Sequence, residues 1–277
     1  MTVTPAAKPP PRVLVIAGSD SGGGAGIQAD IKTLSAFGAY AMTAVTAITV
    51  QNTLGVVDVH GIPPETVAAQ IRACLDDIGA DGVKLGMLHS SPLIETVADT
   101  LADYPGIPII ADPVMVAKGG ATLLQTEAVG ALIERILPRA AVITPNTEEA
   151  GVLLGEKIAD TAAMLPAAHR LADRFGTAVL LKGGHMLGAA VENLLVQPGK
   201  PAERFVTPRL QTPHTHGTGC TLASAVAAGV ASGQPLAAAV ERACAFVHAA
   251  IGHAPGFGRG HGPIDHLITG FRVEGTR

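Results

Sequence analysis

At 277 residues, with 48% hydrophobic content, 33 glycines and no tryptophan, the chain can bury a large core and suits an α/β protein better than an all-β one. A formal charge of −4 leaves no basic footprint, which argues against nucleic acid or an anionic membrane as partner. Three cysteines without close pairing build no disulfide framework and fit a reducing, cytoplasmic setting, and no apolar run reaches the roughly 18 residues of a membrane span.

Residues 1–11 (MTVTPAAKPPP) lack the apolar run of a signal peptide and read as a disordered, proline-stiffened tail, leaving 12–277 as one domain. Residues 13–17 predict a buried strand, followed by a glycine loop and a helix over 26–37. A β-rich run over 41–50 ends in Gln51-Asn52-Thr53, and 55–60 is a short extended excursion. Apolar residues at helical spacing predict a helix over 65–79, a strand over 82–85 and a helix with proline at its start over 92–103. A strand over 107–111 ends at Asp112, and the glycine-rich 118–122 is expected to be mobile. Then come a helix over 126–137, a strand over 141–144, a short helix over 147–154 ended by Gly155, a helix over 164–175 and a strand over 178–181. Residues 191–197 and 203–206 predict a hairpin, and helices follow Gly219 and Pro235. This alternation implies a mainly parallel sheet covered on both faces, with ligands bound outside the carboxyl ends of the strands.

The polar residues that interrupt this pattern gather at predicted strand ends. The stretch 214–220 (HTHGTGC) has Gly217 and Gly219 around Thr218, with Cys220 in the first turn of a helix. A helix start offers unpaired N–H groups and a partial positive charge, so it suits an anion and should lower a thiol pKa. The same stretch also fits a glycine turn before a core cysteine. His214, His216 and Cys220 invite a zinc reading, which lacks a fourth ligand at a recognisable spacing. Gly24-x-Gly26-x-x-Ala29 formally matches a dinucleotide fingerprint. That reading lacks the ribose-binding acid about 20 positions on, and Asp20 would crowd a pyrophosphate.

Asp30 lies near the Ile27, Ile31 and Leu34 stripe, where a carboxylate must be paired or contact a ligand; it also fits an acid that complements the helix start. Gln51, at a strand end, is a turn residue or a specificity group whose amide matches an aminopyrimidine edge. Asp112, Asn146 and Glu149 follow two strand ends; their oxygens suit Mg²⁺, and each also serves as a cap or turn residue. Lys182, at another strand end, offers a positive charge to a phosphate or lies in solvent.

Taken together, residues 17–30 (AGSDSGGGAGIQAD), 51–53 (QNT), 84–87 (KLGM), 112–115 (DPVM), 144–149 (TPNTEE), 181–185 (LKGGH), 215–220 (THGTGC) and 260–263 (GHGP) resemble the hydroxymethylpyrimidine/phosphomethylpyrimidine kinases of thiamine biosynthesis, in the ribokinase-like superfamily. The resemblance spans residues 12–267. It implies a three-layer α-β-α sandwich and ATP-dependent phosphorylation of the pyrimidine's hydroxymethyl group, then of its monophosphate. It also implies that Gly18, Asp30, Gln51, Met87 and Val114 line the pyrimidine pocket, and that Cys220 takes the hydroxyl proton. Gly217, Thr218 and Gly219 would form the anion hole, Lys182 and Asn146 would meet ATP, and Glu149 with Asp112 would serve Mg²⁺. A homodimer is usual in that family. The competing readings are a pyridoxine or pyridoxal kinase of the same superfamily, an NAD-linked oxidoreductase and a non-catalytic pyrimidine sensor.

Overall fold

The computed structural model describes residues 9–115, 124 and 127–271; residues 1–8 of the expected tail and the segment 118–122 lie outside them. Among the described residues the short apolar runs form nine strands: β1 (Arg12–Asp20), β2 (Tyr40–Asn52), β3 (Gly55–Gly61), β4 (Gly82–Leu85), β5 (Ile109–Ala111), β6 (Val142–Ile143), β7 (Ala178–Lys182), β8 (Ala190–Val196) and β9 (Glu203–Pro208). They make one sheet in the order β3-β2-β1-β4-β5-β6-β7-β8-β9. The six strands from β2 to β7 run parallel to their neighbours, and β3 at one edge and β8–β9 at the other pair antiparallel.

The helices are α1 (Gly26–Ala36), α2 (Pro64–Asp77), α3 (Ser91–Ala102), α4 (Ala128–Ala131), α5 (Thr147–Leu154), α6 (Thr161–Phe175), α7 (Thr218–Ala231) and α8 (Leu236–Gly252). Side-chain alternation sorts them into two layers. Leu14 and Ile16 of β1, with Val179 and Leu181 of β7, face a core built with α2 to α6. Val13, Val15 and Ala17, with Ala178 and Leu180, face a second core built with α1, α7 and α8. Phe37 and Phe246 meet edge-to-face in that second core, with centroids 5.2 Å apart. This is the three-layer sandwich the strand–helix alternation implies.

Three expectations need correction. The helix expected over 126–137 is only one α-turn, α4, which widens into a π-helical turn at Leu132–Ile136 and tightens into a 3₁₀ turn at Leu137–Arg139. The extra residue per turn lets Leu132, Ile136 and Leu137 all reach the core, and Pro138, inside the 3₁₀ turn, cannot continue the wider helix. α6 starts a turn earlier than expected because the Asp160 side chain caps it, accepting from Ala163 N at 2.9 Å. The inner face of α1 runs through Ala29, Asp30, Thr33 and Leu34, while Ile31 is exposed.

The strand order reverses between β1, whose chain continues outward to β2, and β4 on its other side. Such a switch opens a crevice at the carboxyl ends. A strap after α8 closes over that end. His261 N donates to Thr53 O at 2.8 Å, and Gly262 O accepts from His216 N at 3.1 Å. His266 Nε2 meets Thr221 Oγ1 at 2.8 Å. Burial, with Lys32 nearby, pushes the His266 imidazole down to about 4, so it stays neutral at the base of α7.

Candidate active site

A cavity of about 720 Å³ opens where β1, β4, β5, β6 and β7 end. Of the residues singled out in the sequence, Gly18, Gln51, Met87, Asp112, Val114, Asn146, Glu149, Lys182 and all of 217–220 line it. Asp30 does not. It is fully buried beneath the cavity floor, where its carboxylate takes the Lys84 ammonium at 2.9 Å and the Ser224 hydroxyl at 2.7 Å. The lone acid of α1 is therefore paired, as its burial requires, but with a lysine from β4.

Lys84 was missed as a site residue. A lysine inside the buried run Gly82–Leu85 must find a counter-charge, and Asp30 is the acid facing the same layer. Burial alone would lower the Lys84 pKa, but attraction to Asp30 holds the ammonium above its ordinary range. Burial pushes Asp30 up, and Lys84 with Ser224 opposes it. Lys84 itself lines the cavity.

Cys220 sits in the first turn of α7, one turn before Ser224. The expected fall in its pKa is overturned. Burial pushes the thiol up to about 11; Lys84 pulls it down, Asp30 and Asp112 push it further up, and the Gly26 N–H lowers it. The helix start is present, but desolvation outweighs it. The thiol is therefore protonated at neutral pH.

Gly217 is the N-cap of α7 at φ 82°, with no side-chain cap on the helix start. A Cβ there would overlap the Gly24 carbonyl oxygen, so the two glycine loops touch main chain to main chain. Thr218 and Gly219 follow as the first helical residues. A Cβ on Gly219 would stand 3.3 Å from Lys182 Nζ and 3.7 Å from Asp112 Oδ2, so a side chain there would fill the space between the helix start and the charged cluster. That is the geometry of an anion cradle.

The charged cluster is compact. Lys182 Nζ lies 2.7 Å from Asp112 Oδ1 and 4.0 Å from Glu149 Oε2, and Thr144 Oγ1 also donates to Asp112 at 2.9 Å. Burial would lower the Lys182 pKa, but the two carboxylates keep it raised. Burial also raises Glu149 to about 7, against the pull of Lys182 and with a push from Asp112. Asn146 caps α5: its side chain accepts from Glu148 N and Glu149 N at 2.9 Å each, while Glu149 Oε2 accepts from Asn146 N at 2.8 Å. The cap reading of Asn146 and its place in the cavity wall hold together.

At the other end, Gly18 packs under Met87; a Cβ on Gly18 would come within 2.6 Å of Met87 Cε. The Gln51 amide has one end 3.0 Å from Thr49 Oγ1 and the other 3.2 Å from His216 Nε2. His216 Nε2 is also 3.0 Å from Asp20 Oδ2. Asp20 in turn accepts from Gly22 N at 2.8 Å, Gly24 N at 3.1 Å and Ala25 N at 2.8 Å, which shapes the loop into α1. The pairing of Asp20 with His216 was not read from the sequence. An acid followed closely by glycines is an Asx-turn signal, but its long-range histidine partner leaves no trace in local sequence. No cluster of three or more His, Cys, Asp or Glu with metal-holding geometry occurs among the described residues, which include His214, His216 and Cys220.

The chain matches the phosphomethylpyrimidine kinase family over residues 20–265. It belongs to that family. It is 48% identical over 259 residues to the hydroxymethylpyrimidine/phosphomethylpyrimidine kinase of Haemophilus influenzae, covering 92% of this chain and 96% of that one. It is 49% identical over 256 residues to the thiamine biosynthesis bifunctional protein of Geobacter sulfurreducens, where the match covers 92% of this chain but 52% of the larger protein. Among solved structures, Bacillus subtilis pyridoxal kinase in its ADP complex superposes with a TM-score of 0.85 at 37% identity, covering 92% of this chain and 97% of that one. A phosphomethylpyrimidine kinase from Clostridium difficile superposes at 0.77 with 38% identity, covering 87% and 99%. The ribokinase-like fold and a kinase of the hydroxymethylpyrimidine/phosphomethylpyrimidine type are thus established for this family member.

Proposed function

We propose that the protein uses Mg²⁺ and ATP to phosphorylate 4-amino-5-hydroxymethyl-2-methylpyrimidine and then its monophosphate, in the cytoplasm. The observation that carries this is one cavity holding the Cys220 thiol and an uncapped helix start between Lys182 and Gln51. Phosphoryl transfer needs the acceptor hydroxyl, the moving group and a cationic clamp in line.

Gly18, Met87 and Val114 enclose the ring, and Gln51 reads its edge. Asp30, named above for this pocket, acts from behind it through Lys84. Cys220 acts as base through its thiolate, which forms by releasing the thiol proton to solvent before the acceptor binds and is favoured by the positive field of Lys84 and the α7 start; it then takes the hydroxyl proton as oxygen attacks. Main-chain N–H groups at Thr218, Gly219 and Cys220 stabilise charge on the transferring phosphoryl group, and Lys182 stands on its other side. Asn146, from the α5 cap, borders the nucleotide.

The space above Gly219, which a single Cβ would occupy, and the oxygen donors of Asp112 and Glu149 fit a phosphate chain with Mg²⁺. When bound, Mg²⁺ would neutralise phosphate charge, with those two carboxylates and water as its protein-side partners.

We also place a homodimer contact on the β2–β3 edge, where Ile48, Val50, Leu54 and Val57 are exposed together. No helix among the described residues is long and apolar enough to cross a membrane.

A second reading, pyridoxine or pyridoxal as an additional substrate, is favoured by the close superposition on pyridoxal kinases, including a Staphylococcus aureus structure with pyridoxal at a TM-score of 0.85 and 35% identity. A coupled ADP-release assay with the hydroxymethylpyrimidine, its monophosphate and pyridoxine separates the readings. Turnover of both pyrimidines at rates above pyridoxine is expected. Turnover of pyridoxine alone would overturn the proposal.

A further inference from the structure

The contact between Asp20, His216 and Gln51 places two partners on one ring nitrogen. His216 Nε2 is 3.0 Å from a carboxylate oxygen and 3.2 Å from the end of an amide. A ring nitrogen carries either a proton or a lone pair in that plane, never both. Asp20 decides which. Its carboxylate is 3% exposed and already accepts from three main-chain N–H groups. Burial would raise its pKa, yet His216 and the Ala25 and Gly22 amides hold it below the ordinary carboxylate range. An ionised carboxylate only accepts, so Nε2 carries the proton and donates to Asp20.

The amide then follows. An N–H facing a protonated nitrogen at 3.2 Å would be repelled, so Gln51 turns its oxygen to His216. Oxygen and nitrogen of a side-chain amide exchange places by a half-turn that leaves the outline unchanged, so the network selects the orientation. The NH₂ end then faces Thr49 Oγ1 at 3.0 Å, and the Thr49 hydroxyl sends its own proton to Ser19 O at 3.0 Å. Each polar group in the chain from Asp20 to Ser19 has a complementary partner in this arrangement.

We propose that the Asp20–His216 pair is a positioning device that fixes the orientation of the Gln51 amide, and thereby makes the site selective for an aminopyrimidine edge. The proposal rests on the reading of Gln51 as the ring-recognising residue. An aminopyrimidine sets a ring-nitrogen acceptor beside an amino donor, so it fits one amide orientation and opposes the other. The hydroxyl of a pyridinol such as pyridoxine rotates and serves as donor or acceptor, so it tolerates both. A glutamine held at both ends therefore discriminates where a free one would not.

Two measurements test this. Kinetics of the full-length protein, His216→Leu and His216→Gln are compared on the hydroxymethylpyrimidine and on pyridoxine, by turnover or by competition where turnover is absent. His216→Leu is expected to lower kcat/KM for the pyrimidine roughly tenfold or more, mainly through KM, with the ATP KM within about threefold, while pyridoxine suffers less. His216→Gln, whose amide N–H reaches the place of Nε2–H, is expected to restore the preference. An unchanged pyrimidine-to-pyridoxine ratio in His216→Leu, or equal losses for both rings and ATP, would overturn the proposal. Independently of any variant, long-range ¹H–¹⁵N spectra of the wild-type imidazole at pH 7.5 are expected to show a proton on Nε2, the atom that faces Asp20; a bare Nε2 would also overturn it. If the wild type leaves the pyrimidine unphosphorylated, the substrate reading fails, and the spectra still report on the His216 tautomer.

Discussion

Cys220 is the residue where opposing fields meet. The α7 start, the Gly26 N–H and Lys84 favour its thiolate, while burial, Asp30 and Asp112 favour the thiol, and the thiol wins with a pKa of about 11. Cys220→Ala is expected to cut turnover by roughly 10²–10⁴-fold while nucleotide affinity, read by calorimetry, stays within a few-fold of wild type. A rate near wild type would remove the proposed role.

Glu149 gives a pH prediction with a definite sign. Burial raises its folded pKa to about 7, above the ordinary 4.5, so it favours the fold when protonated; that contribution fades as pH rises from about 4.5 through about 7. Glu149→Gln keeps an acceptor for the α5 cap and removes the charge. Its melting temperature should exceed that of wild type at pH 8 and converge with it at pH 5, as scanning calorimetry would show. The sequence displayed the residues at this scale but not their pairing. Asp30 demanded a partner on its face, yet nothing near it named Lys84, 54 positions on. Gln51, Lys182 and Gly219 were legible because each ends a strand or opens a helix.

Among elements, the start of α7 carries most of the proposed chemistry. Gly217 sits at φ 82° against the Gly24 carbonyl, so the first turn of α7 and the loop into α1 are positioned by main-chain contact. Gly217→Ala adds a left-handed strain of about 1–2 kcal/mol and a steric clash. We expect kcat to fall at least roughly 100-fold, out of proportion to the change in melting temperature, because a 1 Å displacement of the cradle acts directly on the transferring group. Elements with a clear period were legible from sequence: α5 and its Gly155 stop, β4, and the β8–β9 hairpin. The π-helical turn at Leu132–Ile136 was not, because hydrophobic spacing reports burial and not local winding.

For the whole molecule, the sheet is continuous from β3 to β9, with a core on each face. We propose that residues 12–277 fold as one unit, with a single coincident transition in urea by circular dichroism and by intrinsic fluorescence of the tyrosines. The β2–β3 edge carries the proposed dimer contact. Val50→Lys, at a position 55% exposed, should shift sedimentation from dimer to monomer without unfolding the chain. The three-layer order was legible because strand and helix periods alternate. The apolar patch was not, since β2 alternates as any half-buried strand does.

The strap after α8 ties the Thr53 turn, the backbone of His216 and the base of α7 into a single closure, although every cavity-lining residue precedes it. It behaves like a drawstring. Cutting the chain after Gly252 would spare all the reacting groups yet slacken both rims of the mouth, so a truncated enzyme should lose affinity for the pyrimidine and for ATP together. Proteolytic nicking within 253–263, followed by the same double loss in equilibrium binding, would be the signature.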